Sequence, residues 1–293
     1  MRVSVLAMTT SPDLTSAVAR IEQRLDPPLP RRLREVMTVR TSSLAGLETE
    51  VHTPLTQGLE PDPGVTLLYF HGGAYLAGNA ATHRRWVANL SWGIRATGYV
   101  PNYRLAPQHR FPAAVDDAVA AYLELITQGT SPGRLLVGGD SAGGGLAVAL
   151  LLRLRDEGRP LPAGGLLFSP YTDLEHTGAS IARNRDTDYL PFGNPAINTA
   201  YLGDHNPRDP YASPMYGDFA GIPPLLTFAG GREMILDDSV RLVEAAMRDG
   251  CHADLQVAPD MYHVWVALLP NHPETVRALA ITSEFVRTNT TAS

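Results

Sequence analysis

A short segment in the middle of the chain constrains its fold most. Residues 135–138 read Leu-Leu-Val-Gly, which is typical of a buried strand, and residues 142–155 have the apolar composition of a packed helix. Gly-Asp-Ser-Ala-Gly joins them at 139–143. Glycines on both sides of a serine allow a sharp turn, because a side chain there would collide with the neighbouring strand and helix. This strand, turn and helix predict that Ser141 is a nucleophile held clear of a sheet.

The segments around this turn alternate between short apolar runs and stretches with helical periodicity. The apolar runs that predict strands are 65–70, 135–138, 166–168, 225–228 and 253–257. The stretches that predict helices are 114–126, 142–155 and 236–247. This alternation predicts an α/β fold with a mostly parallel central sheet flanked by helices.

Two parts of the chain depart from this alternation. Residues 171–222 are rich in proline, glycine, asparagine and aspartate, which predicts an insertion with one or two helices over the sheet. Residues 1–45 lack strong strand signals and have a weak helical pattern at Leu14, Val18, Ile21 and Leu25. We therefore divide the chain into an N-terminal segment, 1–45, and a main domain, 46–293, that contains the insertion.

Composition excludes several classes of protein. Hydrophobic residues make up 44% of the 293 residues, enough for a sizeable core, and the net charge of −6 argues against nucleic acid as a partner. Cys251 is the only cysteine, which excludes an intrachain disulfide and a cysteine-rich metal site. No apolar run approaches the ~20 residues that span a bilayer. We expect a cytoplasmic protein without a membrane partner. A homodimer is compatible with these observations.

A second glycine motif, His-Gly-Gly-Ala-Tyr at 71–75, follows the predicted strand 65–70. Acyl transfer places negative charge on a carbonyl oxygen, and one well-placed N–H donor contributes ~2.7–4 kcal/mol to its stabilisation. Gly72 and Gly73 have unhindered N–H groups, and Ala142 follows the serine. We predict an oxyanion hole made by Gly72, Gly73 and Ala142, with His71 organising the loop; a role of His71 as acid or base is the alternative.

The general base is expected after the nucleophile, because a serine on such a turn has its partners in the chain order Ser, acid, His. Of the nine histidines, His263 lies in the loop after the last predicted strand, 253–257, where it could reach the turn. We predict that His263 is the base. The alternative is a partly buried loop histidine without a catalytic role.

The acid that orients the base is expected after the strand 225–228. Glu233 is the first carboxylate there, and Asp237 and Asp238 follow in the first turn of the predicted helix 236–247. Acidic side chains at a helix start offset the macrodipole, which accounts for both aspartates without catalysis. We predict that Glu233 is the acid and that Asp237 faces away, with Asp237 as the alternative acid.

Taken together, these motifs resemble those of the bacterial hormone-sensitive-lipase-like carboxylesterases. The resemblance begins at about residue 44 and covers nearly the whole remaining chain. Its carriers, in the order of that family, are 71–75, Tyr-Arg-Leu-Ala-Pro at 103–107, Phe-Pro-Ala-Ala at 111–114, 139–144, Ser-Pro-Tyr-Thr-Asp at 169–173 and Asp-Pro-Tyr-Ala-Ser-Pro at 209–214. The chain departs from the family pattern at three positions. Ala74 replaces the third glycine of the family motif, Gln108 stands where the family usually has glutamate, and Glu233 stands where aspartate is common.

The resemblance implies an α/β-hydrolase fold with a small helical cap, built from residues 1–45 and the insertion 171–222. It implies a hydrolase for short- to medium-chain carboxylic esters, which forms an acyl-enzyme on Ser141 with His263 and Glu233 and needs no cofactor or metal. A lactone, carbamate or amide hydrolase, or a small peptidase, with the same triad is the alternative within enzymes. A non-catalytic receptor for a small ligand is the alternative outside them, and the presence of His263 argues against it.

Overall fold

The computed structural model describes residues 28–55, 64–189 and 195–290. The helical pattern expected at 14–25 lies outside these residues. The strands of the described chain form one eight-stranded sheet. They are β1 (Met37–Leu44), β2 (Leu47–Pro54), β3 (Thr66–Phe70), β4 (Thr97–Pro101), β5 (Leu135–Asp140), β6 (Gly164–Phe168), β7 (Leu225–Gly230) and β8 (Ala253–Ala258).

The sheet is mostly parallel, as predicted. Its strand order is β1-β2-β4-β3-β5-β6-β7-β8. Strands β1 and β2 are antiparallel, β2 and β4 are antiparallel, and every pair from β4 to β8 is parallel. Phe70 at the end of β3 pairs with Gly139, and Phe168 at the end of β6 pairs with Asp140. The carboxyl ends of β3, β5, β6, β7 and β8 therefore meet along one edge, where ligands of open α/β sheets bind.

Helices cover both faces of the sheet. Leu67 and Tyr69 belong to one apolar cluster and Leu68 and Phe70 to the other, because alternate residues of a strand face opposite sides. The helices are α1 (Arg31–Arg34), α2 (Ala80–Ile94), α3 (Ala113–Thr127), α4 (Ala142–Asp156), α5 (Ser180–Arg183), α6 (Pro195–Leu202), α7 (Leu236–Arg248), α8 (Trp265–Leu268) and α9 (Pro273–Asn289). Within the described ranges, no helix has the length and apolarity to cross a membrane. The location of the protein and the homodimer stay predictions.

The first strand contradicts the expected boundary at residue 45. Met37–Leu44 is an edge strand of the sheet, so these residues are part of the main domain and not of a cap. Only Met37 and Leu44 are buried along it, because an edge strand with a partly exposed face needs few apolar side chains. Strand β4 was also not predicted, since its sequence Thr-Gly-Tyr-Val-Pro contains two residues that are depleted in strands.

The insertion between β6 and β7 contains the short helices α5 and α6, in agreement with the predicted helix or two. Tyr201 of α6 stacks on Tyr75, which follows the glycines at the end of β3, with ring centroids 3.9 Å apart and planes 5° apart. Tyr171 donates a hydrogen bond of 2.7 Å to Asn198 Oδ1, which ties α6 to the end of β6. The insertion therefore packs over the edge at which the parallel strands end.

The turn at Ser141 depends on the absence of a side chain at Gly143. Ser141 has a φ of 51°, a conformation that costs energy for any residue with a Cβ. A Cβ at Gly143 would lie 2.0 Å from the carbonyl oxygen of Phe70 and 2.6 Å from that of His71. Both are backbone atoms that cannot move without breaking the sheet, so helix α4 can approach β3 this closely only at a glycine.

We expect Gly143→Ala to destabilise the protein by at least about 3 kcal/mol, because the added methyl group overlaps rigid backbone. Gly93→Ala is the matched control. A Cβ at Gly93, in helix α2, would meet only Leu279 at 3.5 Å, an ordinary contact. This control should be neutral or gain about 0.5–1 kcal/mol from helix propensity. Thermal unfolding of both variants measures the difference, and equal melting temperatures would contradict the steric argument.

Candidate active site

The three residues predicted to form a catalytic triad lie on loops at the same edge of the sheet. Ser141 directly follows β5, Glu233 follows β7, and His263 follows β8. These strands are close neighbours in the order β5-β6-β7-β8. Because their carboxyl ends face the same way, the sheet brings together side chains that are far apart in the sequence.

His263 and Glu233 form a buried hydrogen-bonded pair. His263 Nδ1 lies 3.1 Å from Glu233 Oε2, and the exposed fractions of the two residues are 1% and 0%. A proton on Nδ1 makes this hydrogen bond, which leaves Nε2 as the nitrogen with a lone pair. The pair has the orientation of an acid that holds the imidazole of a general base in one tautomer.

The surroundings of Glu233 act on its pKa in opposite directions. Burial raises the pKa above that of an ordinary glutamate, and the hydrogen bonds of His263 and of the Ser169 hydroxyl lower it. The carboxylate thus depends on these two partners for its negative charge, because burial without them favours the neutral acid.

Asp237, the alternative acid, has other partners. Its Oδ2 accepts a hydrogen bond of 2.9 Å from the backbone N–H of Ser180, and Arg183 donates to its Oδ1 at 3.3 Å. Asp238 is buried and accepts hydrogen bonds from the N–H groups of Thr172 and Asp173 at 2.8 and 2.9 Å. The structure therefore pairs Glu233 with the histidine and uses both aspartates to fasten the insertion to α7.

Ser141 lies at the start of α4, and both its backbone N–H and its carbonyl oxygen are hydrogen-bonded. Its N–H donates to Phe168 O at 3.0 Å, and its carbonyl oxygen accepts from Gly145 and Tyr171 at 3.1 and 2.8 Å. The hydroxyl does not cap the helix, and 7% of the residue is exposed. The side chain is thus available for chemistry at a helix N-terminus, which favours negative charge.

Gly72 does not have the role predicted for it. Its N–H is directed at Asp140 Oδ1 and His83 Nε2, each 3.2 Å away, and the residue is buried. An amide that already donates to a buried carboxylate cannot also stabilise an oxyanion. The prediction that Gly72 is a donor of the oxyanion hole is therefore wrong, because the glycine lies behind the loop and not at its surface.

Three neighbouring amides are open instead. Among the described residues, nothing accepts a hydrogen bond from the N–H groups of Gly73, Ala74 and Ala142. Gly73 and Ala74 are partly exposed, and Ala74 has a φ of 56°, which turns the chain after the glycines. The sequence motif alone could not show this, because adjacent amides of a loop point in different directions and only the fold selects among them.

A buried network was not predicted behind residues 71–75, which we call the oxyanion loop after their predicted role. Asp140 Oδ1 accepts a hydrogen bond of 2.8 Å from Tyr69, and Asp140 Oδ2 lies 3.3 Å from His83 Nε2. Burial alone would raise the pKa of Asp140, but His83 and Tyr69 outweigh it and the pKa is lowered. Asp140 is thus a carboxylate that holds the N–H of Gly72. The sequence feature that could have predicted this role is the position of Asp140, a charged residue between a buried strand and Ser141.

His71 has the environment of a structural residue. It is completely buried and stacks on Tyr103, with ring centroids 4.3 Å apart, and Tyr103 donates a hydrogen bond of 2.7 Å to its carbonyl oxygen. Burial lowers the pKa of His71 to about 3, so the ring is neutral at ordinary pH. These contacts agree with the interpretation of His71 as the organiser of the loop.

Ser169 is a second residue that the sequence analysis did not single out for the site. It follows β6, is fully buried and has a φ of 49°. Its hydroxyl accepts a hydrogen bond of 3.0 Å from the N–H of Val264, the residue after the histidine, and it also lowers the pKa of Glu233. Ser169 therefore binds the residue next to His263 and lowers the pKa of Glu233, the other member of the pair.

Comparison with known proteins agrees with this architecture. A family model described as the alpha/beta hydrolase fold matches residues 67–267. An acetyl-hydrolase of Streptomyces hygroscopicus is 43% identical over 235 residues, which are 78% of this chain and 77% of that protein. An esterase of Acinetobacter venetianus is 32% identical over 255 residues, which are 86% of this chain and 81% of that protein.

A solved structure extends the similarity to the whole fold. The crystal structure of an esterase from the bacterial hormone-sensitive lipase family has a TM-score of 0.81 and 38% identity, and covers 97% of this chain and 100% of that one. The chain therefore belongs to the α/β-hydrolase family. Within it, this protein is a hormone-sensitive-lipase-like carboxylesterase, as the sequence motifs predicted.

The contacts of the two candidate acids generate a prediction. Glu233→Gln keeps the shape of the side chain but removes the charge that holds the His263 tautomer, so we expect kcat to fall by ~10²–10⁴ with little change in melting temperature. Asp237→Asn should leave kcat close to that of the wild type and cost about 0.3–1 kcal/mol of stability, as a charge lost from a helix start. Measuring kcat and thermal unfolding for both variants tests this, and the opposite pattern would make Asp237 the acid.

Proposed function

We propose that this carboxylesterase works through a Ser141–His263–Glu233 triad and an acyl-enzyme intermediate. The observation that carries the proposal is the buried pair of His263 Nδ1 and Glu233 Oε2, 3.1 Å apart, at the sheet edge where Ser141 lies. His263 removes the proton of the serine hydroxyl as Ser141 Oγ attacks the ester carbonyl carbon. Glu233 stabilises the imidazolium that forms.

The resulting tetrahedral intermediate has a negatively charged oxygen. We assign its stabilisation to the open amides of Gly73, Ala74 and Ala142. Ala74 takes the role first predicted for Gly72, because the N–H of Gly72 donates to Asp140. His263 then gives its proton to the leaving alcohol, and the ester C–O bond breaks. A water activated by the same histidine hydrolyses the acyl-enzyme and restores Ser141. Each step uses only groups of the chain, the substrate and water.

The cover over the site supports short- to medium-chain acyl esters as substrates. The exposed fractions of Ser141 and His263 are only 7% and 1%. The stacking of Tyr201 on Tyr75 holds the insertion over the oxyanion loop. A relative with 43% identity is named an acetyl-hydrolase. Because a long acyl chain needs a long open groove, a covered site favours small acyl groups.

The nucleophile is tested by Ser141→Ala. We expect hydrolysis of p-nitrophenyl butyrate to fall by at least ~10³-fold while the fold is kept, because the variant loses the attacking oxygen but retains the oxyanion donors. Circular dichroism provides the control for folding. A folded variant with near-normal turnover would place the nucleophile elsewhere.

The covered site generates a prediction about chain length. We expect kcat/KM for p-nitrophenyl acetate or butyrate to exceed that for the palmitate ester by at least ~10²-fold, because burying the long tail would require the cap to move. Lactones and anilides in the same panel separate the alternative hydrolase activities. Faster cleavage of palmitate than of butyrate, or a preference for amides, would contradict this choice of substrate.

A further inference from the structure

One short segment of the insertion contacts the backbone of both loops that carry the acid and the base. We call residues 184–189 the cap turn; it begins directly after α5. Asn184, which is buried, donates from Nδ2 to the carbonyl oxygens of Gly231 and Glu233, at 3.2 and 2.8 Å. One side-chain amide of the insertion therefore binds the carbonyl oxygens of the two residues on either side of Arg232.

Two further residues of the cap turn complete these contacts with the acid loop. Thr187 Oγ1 shares its one proton between two carbonyl oxygens, that of Asn184 at 2.9 Å and that of Arg232 at 3.0 Å. Asp188 Oδ2 accepts from the N–H of Met234 at 2.7 Å. Every residue from 231 to 234 thus has a backbone group bound by the cap turn.

The cap turn also reaches the base. Tyr189 donates from its hydroxyl to the carbonyl oxygen of His263 at 3.0 Å. The same six-residue segment therefore binds the backbone of both members of the His263–Glu233 pair.

These loops need such external partners because they lie beyond the sheet. Within its own loop, the N–H of Glu233 donates to Gly230 O at 3.2 Å, and its carbonyl oxygen accepts a long hydrogen bond of 3.4 Å from the N–H of Leu236. The shorter hydrogen bond to this carbonyl oxygen, 2.8 Å, comes from Asn184. Without Asn184 the carbonyl would keep only the long bond, and a poorly satisfied buried acceptor costs up to about 1–3 kcal/mol, which a loop avoids by rotating its peptide groups. A rotation at this place moves the carboxylate that faces His263.

We propose that Asn184 and Tyr189 are positioning residues for the catalytic pair, in which Asn184 sets the Glu233 loop and Tyr189 sets the His263 loop. The inference rests on the proposed function, in which this pair transfers the proton of Ser141. The insertion thus takes part in the chemistry as well as in covering the substrate.

The experiment uses p-nitrophenyl acetate, a substrate too small to depend on a long acyl groove. We expect Asn184→Ala to lower kcat by about 10–100-fold, because small displacements of a catalytic group have effects of this size. KM should stay within about threefold of the wild-type value, since substrate binding does not use this contact. Arg185→Ala is the matched control. Arg185 is the next residue of the cap turn, its side chain is exposed, and it has no hydrogen bond or ion pair among the described residues.

A second variant and a spectroscopic measurement separate positioning from folding. Tyr189→Phe removes one hydroxyl from a residue that is 41% exposed, so the fold should survive, and we expect kcat to fall by about 3–10-fold, the worth of one hydrogen bond. We expect the proton between His263 and Glu233 to give a low-field signal in proton NMR. We expect it to shift or broaden in Asn184→Ala and to stay unchanged in Arg185→Ala.

Ser141→Ala, measured in parallel, separates this inference from the proposed function. If Ser141→Ala is inactive while Asn184→Ala and Tyr189→Phe have the kcat and NMR signal of the wild type, the positioning role is overturned and the triad stands. If Asn184→Ala does not fold, the kcat of Tyr189→Phe decides whether the positioning role stands. If Ser141→Ala retains turnover, the proposed function and the cap-turn inference both fail.

Discussion

The close approach of two backbone segments is the constraint on which the site depends. Gly143, in the first turn of α4, packs so closely against the end of β3 that a Cβ would lie 2.0 Å from the carbonyl oxygen of Phe70. This contact brings the serine and the oxyanion loop together, because the loop begins at the next residue, His71. Backbone groups of α4 and β3 therefore define the distance between the proposed nucleophile and the proposed oxyanion donors, and no flexible side chain intervenes.

The site contains two buried carboxylates in contrasting environments. His83 and the Tyr69 hydroxyl lower the pKa of Asp140, so this group remains charged and holds the amide of Gly72. Burial raises the pKa of Glu233, and its charge depends on His263 and Ser169. A permanent charge suits a structural role. A charge coupled to its partner suits the role proposed for Glu233, because the imidazolium of the proposed mechanism gains most from it.

The sequence was most informative where one residue type alone satisfies a local requirement. Glycines around Ser141 predicted the turn, and apolar runs predicted the buried strands. Position after a strand singled out His263 and Glu233, which the structure pairs at 3.1 Å. It was least informative at β1, where only Met37 and Leu44 are buried and the pattern is therefore weak. The contacts of Asn184 also have no sequence signature, since an asparagine in a polar insertion usually belongs to an exposed turn.

By itself, then, the sequence determined the α/β class, the turn at Ser141 and the loops that carry the proposed acid and base, because these follow from local periodicity and local sterics. Only the tertiary structure decided which amides are open. The N–H of Gly72 turns inward to Asp140, a residue 68 positions away in the chain, which leaves Gly73 and Ala74 at the surface of the loop. The direction of an amide depends on the partners that the fold brings to it, and such partners are not encoded in the residues next to it.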